Sequence, residues 1–182
     1  MRPVYGRGEM MAIRVLTAVL FAMTTVQAFS QAGKLDGTWK LNLAKSFLGA
    51  EHPVTDYQLT KKIEVKHRTA SIIDTSVNAT MANIPLPDSK NSLAFAVDGK
   101  EHDAQVSVGF PGVPSMPAKI SATWEGCSLA VEIRGVGPGA ALIGTTKQRL
   151  FLSEDGSQLI VLIERRATYF DSEQKLIFDK QW

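Results

Sequence analysis

Three polar residues beside one turn are the first candidates for chemistry. Glu101, His102 and Asp103 directly follow an Asp98-Gly99 turn, so two carboxylates flank an imidazole. These groups bind metal ions, or pair a general base with the acid that orients it. A turn tip, however, is exposed to water and has no wall that excludes solvent. We therefore interpret the three as solvated turn residues and predict neither a catalytic nor a metal site there.

The remaining reactive side chains are scattered. His52 and His67 stand in separate segments, and no His-x-His or His-Glu-x-x-His spacing gathers metal ligands. The single cysteine, Cys127, forms no disulfide within the chain, and its acidic neighbour disfavours the thiolate. The sequence thus predicts no enzyme and no cofactor. The enzyme interpretation gains support if two of His52, Glu101 and His102 converge in one pocket.

Apolar side chains in proline-rich loops point to binding instead. The stretches 83–87 and 110–117 cannot be central strands, because proline removes a donor from the ladder. Apolar residues in loops favour a rim, a lid or a partner contact, with capping of a barrel end as the alternative. The candidate ligand-binding residues are Phe110, Val113 and Met116 at an open rim, with Trp124 as a pocket lining.

The elements that position these residues are strands. From Leu35 onward apolar and polar residues alternate with a period of two, as in half-buried strands. Acid-Gly turns recur near residues 98, 125 and 155, and Asp-Gly between alternating runs is a strong hairpin signal. The strands are predicted near 36–43, 57–66, 69–78, 91–98, 102–109, 118–125, 128–135, 142–152, 158–169 and 175–180, with the last hairpin turning at 171–173.

These strands predict an all-β fold, a single antiparallel meander of eight to ten strands closed into a barrel. Closure removes the unpaired edges, and barrels of about eight strands hold side chains or one small ligand. A β-sandwich is the structural alternative. The glycines of 135–139 do not make a phosphate loop in this interpretation, because no helix is predicted to follow them.

The N-terminus is typical of a secretory signal. Arg14 precedes the apolar run 15–26, and small residues follow at Ala28 and Ala32. The run is too short to span a membrane as a helix. We expect residues 1–32 to be a signal peptide and leader and 33–182 to form the barrel domain. The protein is then secreted or periplasmic; a buried amphipathic helix is the alternative.

Charge and composition exclude several classes. The whole chain carries +2, and residues 33–182 have 17 basic and 17 acidic residues, so no electrostatic footprint for nucleic acid remains. A hydrophobic content of 45% excludes disorder. An outer-membrane barrel would place Lys180 toward lipid if Trp182 faces outward, and no clean apolar band exists. We expect no stable membrane insertion.

The first strand carries a family resemblance. Gly37-x-Trp39 resembles the first-strand motif of the lipocalins, which implies a calycin-type barrel with Trp39 plugging one end. The resemblance also implies that Arg165 or Arg166 lies over that indole, and a cation on an indole is a sound pairing. The longer start GTWKLNxAKS is similar to that of uncharacterised secreted bacterial proteins regarded as lipocalin-like. Arg165 is the arginine that we expect to pair with Trp39.

The sequence therefore predicts a secreted barrel that binds a small apolar or amphiphilic ligand without covalent chemistry. The second interpretation is an exported interaction module with a filled core and no cavity. An outer-membrane barrel or an enzyme comes third.

Overall fold

The fold is described by a computed structural model for residues 34–49, 58–81, 84–85, 87–107, 115–137, 140–168 and 171–182. The predicted signal segment lies outside these residues, as do Phe110, Val113 and His52. Within the described part of the chain, no helix is both long and apolar enough to cross a membrane.

Strands make up most of the described chain. They are β1 (Gly37–Leu41), β2 (Gln58–Lys66), β3 (Thr69–Val77), β4 (Thr80–Met81), β5 (Ile84–Pro85), β6 (Ser89–Ala96), β7 (His102–Val106), β8 (Met116–Glu125), β9 (Ser128–Gly135), β10 (Thr145–Leu152), β11 (Gln158–Arg166) and β12 (Asp171–Gln181). A 3-10 turn covers Leu43–Lys45, and a four-residue helix, α1, covers Ala140–Ile143.

Ten of these strands form one antiparallel sheet that wraps into a nearly closed barrel. Their order is β6-β3-β2-β1-β12-β11-β10-β9-β8-β7, and β4 pairs only with β5. Neighbours in this order are consecutive along the chain, with two exceptions: the small β4–β5 hairpin stands between β3 and β6, and β1 pairs with β12, which joins the first strand to the last. The predicted all-β antiparallel barrel is confirmed. The two edges that remain, β6 and β7, are joined by the turn 97–101.

The two ends of the barrel differ. The short hairpin turns 66–69, 97–101, 125–128 and 153–157 lie at one end, which we call the turn end. The connections between β1 and β2, β3 and β6, β7 and β8, β9 and β10, and β11 and β12 lie at the other end, the loop end, and all but the last are longer than the turns. Each strand of the sheet runs between these two ends, so position along a strand reports depth in the barrel.

The half of the interior near the turn end is filled with apolar side chains. Alternation along each strand sends every second residue inward. The inward residues with almost no exposed surface are Trp39, Ile63, Ile120, Leu129, Leu150, Leu159, Val161 and Phe178. Burying such a side chain stabilises the fold by about 1.5–3 kcal/mol relative to leaving it in water. This core anchors all the strands that carry the residues described below.

Trp39 closes the turn end, but its cation is not the predicted one. The indole N–H donates to the Leu35 carbonyl at 3.0 Å, and Lys180 Nζ lies 5.4 Å from the centre of the ring. Arg165 is opposite Ser172, eight residues along β12 from Lys180. At about 3.4 Å per residue that is roughly 27 Å, far beyond an arginine's reach. The predicted Trp39–Arg165 pair is therefore wrong, and Lys180 takes that place.

Other sequence predictions differ from the structure at the ends of elements and after the glycine loop. Strand β8 begins at Met116 and includes Pro117, two residues before the predicted start at 118. A proline is tolerated at the first residues of a strand, where few ladder bonds are lost. The last hairpin turns before Asp171 rather than at 171–173, because β12 already begins there. A helix does follow the glycine loop, although α1 has only four residues.

Candidate functional site

The candidate site is the half of the barrel interior near the loop end. In this half many inward side chains of β2, β3, β6, β10, β11 and β12 are polar, and most of these are partly exposed, whereas those of β7, β8 and β9 stay apolar. The inward polar residues of this half, which we call the polar half, are Lys61, Asp74, Ser76, Ser89, Asn91, Thr146, Gln148, Arg165, Ser172 and Gln174. A core that must only pack would not need them, since each polar group costs free energy when it leaves water.

An ion pair marks the boundary between the two halves. Lys61 Nζ lies 2.6 Å and 2.8 Å from the two carboxylate oxygens of Asp74, its register partner on β3. The lysine side chain is 5% exposed, whereas that of Asp74 is 34% exposed. Lys61 Nζ also lies 5.7 Å from the centre of the Phe178 ring, at the top of the apolar core. The carboxylate is thus the member of the pair that faces the open interior.

One wall of the polar half continues from this carboxylate. In the register of β3 with β6, Asp74 is opposite Asn91, and Ser76 is opposite Ser89. We call these four residues the Asp74 face. Its only charged group, Asp74, is an acceptor, and the amide and hydroxyls beside it both donate and accept.

A second wall carries an inward arginine. Arg165 on β11 is opposite Thr146 on β10 and Ser172 on β12. Two residues deeper, Ile163 lies between Gln148 and Gln174 in the same way. We call Arg165, Thr146, Ser172, Gln148 and Gln174 the Arg165 face. Burial lowers the pKa of the Arg165 guanidinium from its ordinary value, but the group stays charged at neutral pH.

The sequence-predicted ligand residues are only partly covered by the described chain. Met116 and Trp124 both face inward from β8 and pack, partly buried, against the core. They are eight residues apart, with Met116 at the loop end and Trp124 at the turn end, so they do not form one rim. Phe110 and Val113 lie outside the described residues and stay predictions.

The turn residues with potential chemistry do not converge. His102 Nε2 lies 3.0 Å from Asp98 Oδ1, within its own turn. Glu101 instead pairs with Arg134, and Asp103 pairs with Lys119. In the described residues no group of three His, Cys, Asp or Glu side chains is placed to hold a metal ion, and Cys127 is free and exposed. Glu101, His102 and Asp103 thus each have a separate salt-bridge partner on the barrel wall.

The outer wall of the barrel has a groove of about 750 Å³ that the sequence did not indicate. It runs across β8 to β12, and its floor is the backbone of inward residues such as Val131 and Ile163. Phe47 closes one end, held by two backbone hydrogen bonds to Lys175 of 2.7 and 2.8 Å. Phe47 is 56% exposed, and Leu162, which also lines the groove, is 38% exposed. This groove and the polar half lie on opposite sides of the same wall.

Sequence reasoning did not predict the polar half, because its residues look like surface residues in the sequence. Lys61 stands next to Lys62, and the pair looks like a solvated surface until the register shows that one of them faces inward. The usable signal was the period itself: Asp74 is in phase with Ile72, and Arg165 with Ile163. Charged residues in phase with an apolar face indicate a polar site in the interior.

Comparison with known proteins gives structural neighbours. No protein-family model matches the chain, and no curated protein matches it in sequence. A fatty acid binding protein from Schistosoma mansoni, solved in complex with arachidonic acid, superposes with a TM-score of 0.53 at 13% identity. The match covers 84% of this chain and 99% of that one. The zebrafish ileal bile acid-binding protein complexed with cholic acid gives a TM-score of 0.50 at 17% identity, covering 81% and 99%.

These neighbours share the fold. The described strands form an antiparallel, nearly closed ten-stranded barrel like theirs, the kind of barrel that the lipocalin resemblance implied. At identities of 13% and 17% the similarity concerns the fold alone. Any inference about a ligand must therefore come from the residues of this barrel.

Proposed function

We propose that the protein binds a small amphiphilic molecule inside the barrel. The supporting observation is that apolar side chains fill the interior near the turn end, whereas partly exposed polar, charged and apolar side chains share the interior near the loop end. An apolar ligand part would contact the top of the core, gaining about 25 cal/mol for each Å² of apolar surface removed from water. A polar part would pair with the Asp74 and Arg165 faces, which fix its orientation.

Partly exposed apolar side chains inside the barrel support the same proposal. Leu93, Val106, Met116 and Ile163 point inward, yet none of them is fully buried. A filled barrel would cover these side chains, as it covers Trp39 and Phe178 below them. The ligands named for the two structural neighbours, a fatty acid and a bile acid, are small amphiphiles of the kind proposed here.

Native mass spectrometry and a fluorescent probe test this proposal. Native mass spectrometry on protein purified without detergent should show an added mass that organic solvent extracts. The fluorescent probe anilinonaphthalene sulfonate should bind, and Ile163→Gln should weaken it, while Leu162→Gln on the outer wall should not. Circular dichroism controls for folding. A bare mass together with no probe binding would overturn the proposal.

A protein partner is the second candidate function. The observation that favours it is the outer groove with Phe47 exposed at its end, because large exposed aromatic residues are enriched at interfaces. In that case Phe47→Ala abolishes complex formation and leaves probe binding inside the barrel intact. The two candidate functions use opposite sides of the wall, so the two sets of variants separate them.

We also propose that the chain is exported. The support is in the sequence alone: a basic residue, the apolar run 15–26 and a small-residue exit. Expression of the full chain in a bacterial host, followed by N-terminal sequencing of the extracellular or periplasmic fraction, tests this. A start at Phe29 or Gly33, directly after Ala28 or Ala32, is the expected result. Full-length protein retained in the cytoplasm contradicts it.

A further inference from the structure

We infer that the ligand is a neutral amphiphile whose head group donates hydrogen bonds, such as a long-chain alcohol or primary amide, and that the Asp74 face holds this head group. The inference rests on the proposed function and narrows it, because that function leaves the charge of the head group open. It depends on the Lys61–Asp74 pair, on the side chains beside it and on the apolar side chains that share the same interior.

The more exposed member of the Lys61–Asp74 pair is the hydrogen-bond acceptor. The Lys61 side chain is 5% exposed and that of Asp74 is 34% exposed, although the two groups are in contact at 2.6 Å. Lys61 Nζ also lies over the Phe178 ring, on the core side of the pair. An ionised carboxylate only accepts hydrogen bonds, and each oxygen has room for more than the one that Lys61 donates. A ligand group that reaches Asp74 must therefore donate.

The charge of the same pair excludes both kinds of ionised head group. A ligand carboxylate at Asp74 would meet a like charge and could donate nothing to it. A ligand ammonium would donate, but it would stand beside the Lys61 ammonium and leave one of three charges unbalanced away from bulk water. Arg165 on another wall already has an interaction in the folded chain, so its charge does not call for an acid. A hydroxyl or a primary amide donates without either cost.

The side chains beside Asp74 fit a neutral head group as well. Asn91 is opposite Asp74 in the register of β3 with β6, and Ser89 lies two residues nearer the loop end. Both side chains are partly exposed, and neither makes a hydrogen bond within the part of the chain that the structure describes. An amide and a hydroxyl both donate and accept. They can therefore complete the hydrogen bonds of a ligand hydroxyl or amide that donates to Asp74.

Apolar side chains for the rest of the ligand lie next to this face. Leu93 lies two residues deeper than Asn91 on β6, and it points inward without being fully buried. Met116 on β8 and Ile163 on β11 are inward and partly buried in the same way. A ligand with its head group at Asn91 thus passes within two residues from polar to apolar contacts. One polar head on an apolar chain fits this arrangement.

The experiment removes the donors of the head group by methylation. Decanol is compared with decyl methyl ether, decanamide with N,N-dimethyldecanamide, and decanoate and decylammonium supply the charged head groups. Displacement of anilinonaphthalene sulfonate at neutral pH gives the affinities. We expect each donor to bind about tenfold tighter than its methylated partner, as a hydrogen bond to a charged group typically contributes that factor, and tighter than either ion.

Methylation also makes each compound more apolar, so simple transfer into an apolar cavity predicts the reverse order. Equal or tighter binding of the methylated compounds, or of either ion, would therefore overturn the inference and leave the proposed function standing. If neither the probe nor any of the six compounds binds the wild-type protein, both the proposed function and this inference fail.

Variants assign the preference for donors to the Asp74 face. Asn91→Leu should reduce the ratio of the two affinities, and Lys61→Met/Asp74→Leu, which removes both charges together, should bring it to about one. Lys90→Met is the matched control, because it removes an outward charge next to Asn91 and should leave the ratio unchanged. Asn91→Leu keeps the ion pair intact, so it carries the test by itself if the double variant does not fold by circular dichroism. An unchanged ratio in the folded variants of this face would overturn the inference.

Discussion

Lys61 places a charged group inside the barrel, although the residues around it in the sequence suggest a surface position. Its ammonium group pairs with Asp74 and lies over the Phe178 ring. Burying an ion costs several kcal/mol, which its partner offsets only while the geometry is kept. The pair therefore adds little net stability. It fixes two opposite charges at the boundary between the apolar core and the polar half.

The first prediction concerns this pair. Asp74→Asn leaves the buried ammonium without its counter-charge and should destabilise the fold by about 3–5 kcal/mol in urea unfolding. The double variant Lys61→Met/Asp74→Leu removes both charges and should recover most of that loss. A single variant as stable as wild type would show that Lys61 reaches water in solution.

The second prediction concerns the cation beside Trp39. In double-mutant cycles, Trp39→Leu and Lys180→Ala should couple by about 0.5–1 kcal/mol, the value of a cation on an indole. Trp39→Leu and Arg165→Ala should be additive, because the two residues lie at opposite ends of the barrel. Coupling to Arg165 and none to Lys180 would contradict the observed register.

At the scale of elements, the connection between β9 and β10 depends on one glycine. Gly144 has φ +57°, and a Cβ built there would lie 2.0 Å from the Arg166 carbonyl oxygen. Its carbonyl also accepts from the Gly135 amide at 2.8 Å, which ties the end of α1 to β9. The close approach of two backbones, not the turn alone, requires glycine here.

The third prediction follows from that approach. Gly144→Ala should destabilise the protein by about 2 kcal/mol or more, because the backbone must shift as well as adopt a strained φ. Gly126→Ala is the matched control: its φ is +60°, but a Cβ there meets nothing within 4 Å. We expect it to cost only about 1 kcal/mol in thermal or urea unfolding. If both variants lose the same free energy of unfolding, the positive φ alone, and not the close backbone, requires glycine at residue 144.

The β10–β11 hairpin carries a prediction about pH. Hydrogen bonds from the Ser153 hydroxyl and from the Ser157 amide and hydroxyl lower the pKa of Asp155 from 3.8 to about 2. A depressed folded-state pKa contributes stability that is present above pH 3.8 and lost as the pH falls toward 2. The carboxyl resonance of Asp155 should titrate near 2 by NMR, and Ser153→Ala should raise that midpoint. A midpoint near 3.8 in the wild type would show that the turn does not hold the carboxylate.

At the scale of the whole molecule, the barrel has one discontinuity. The order of the sheet ends at β6 on one side and β7 on the other, while β1 and β12 lie in its middle. Opening a strand that pairs with one neighbour costs less free energy than opening a strand that pairs with two.

The fifth prediction is a pattern of hydrogen exchange. Amides of β1, β11 and β12 should exchange only at the rate of global unfolding, and those of β6 and β7 faster. An amphiphile bound between the two faces contacts β6 from inside, so saturating ligand should slow exchange in β6 more than in β7. Uniform protection of all ten strands would indicate that the edges pair in solution.

The sequence by itself determined the fold class. Period-two alternation and the acid-Gly turns predicted an antiparallel meander, because strand phase and turn chemistry are local properties. The outlines of the strands followed too, with errors where Pro117 and Asp171 lie at strand ends. Local signals do not report which distant strand a residue meets.

Only the tertiary structure decided which side chains meet inside the barrel. The pairing of β1 with β12 placed Lys180 rather than Arg165 on Trp39, and the register of β2 with β3 placed Lys61 on Asp74. Such partners are far apart in sequence, and a register shift of one residue would turn every one of them to the other face. The polar half therefore exists only in the folded barrel. Several strands each contribute one or two polar residues, and pairing of the strands brings these residues together.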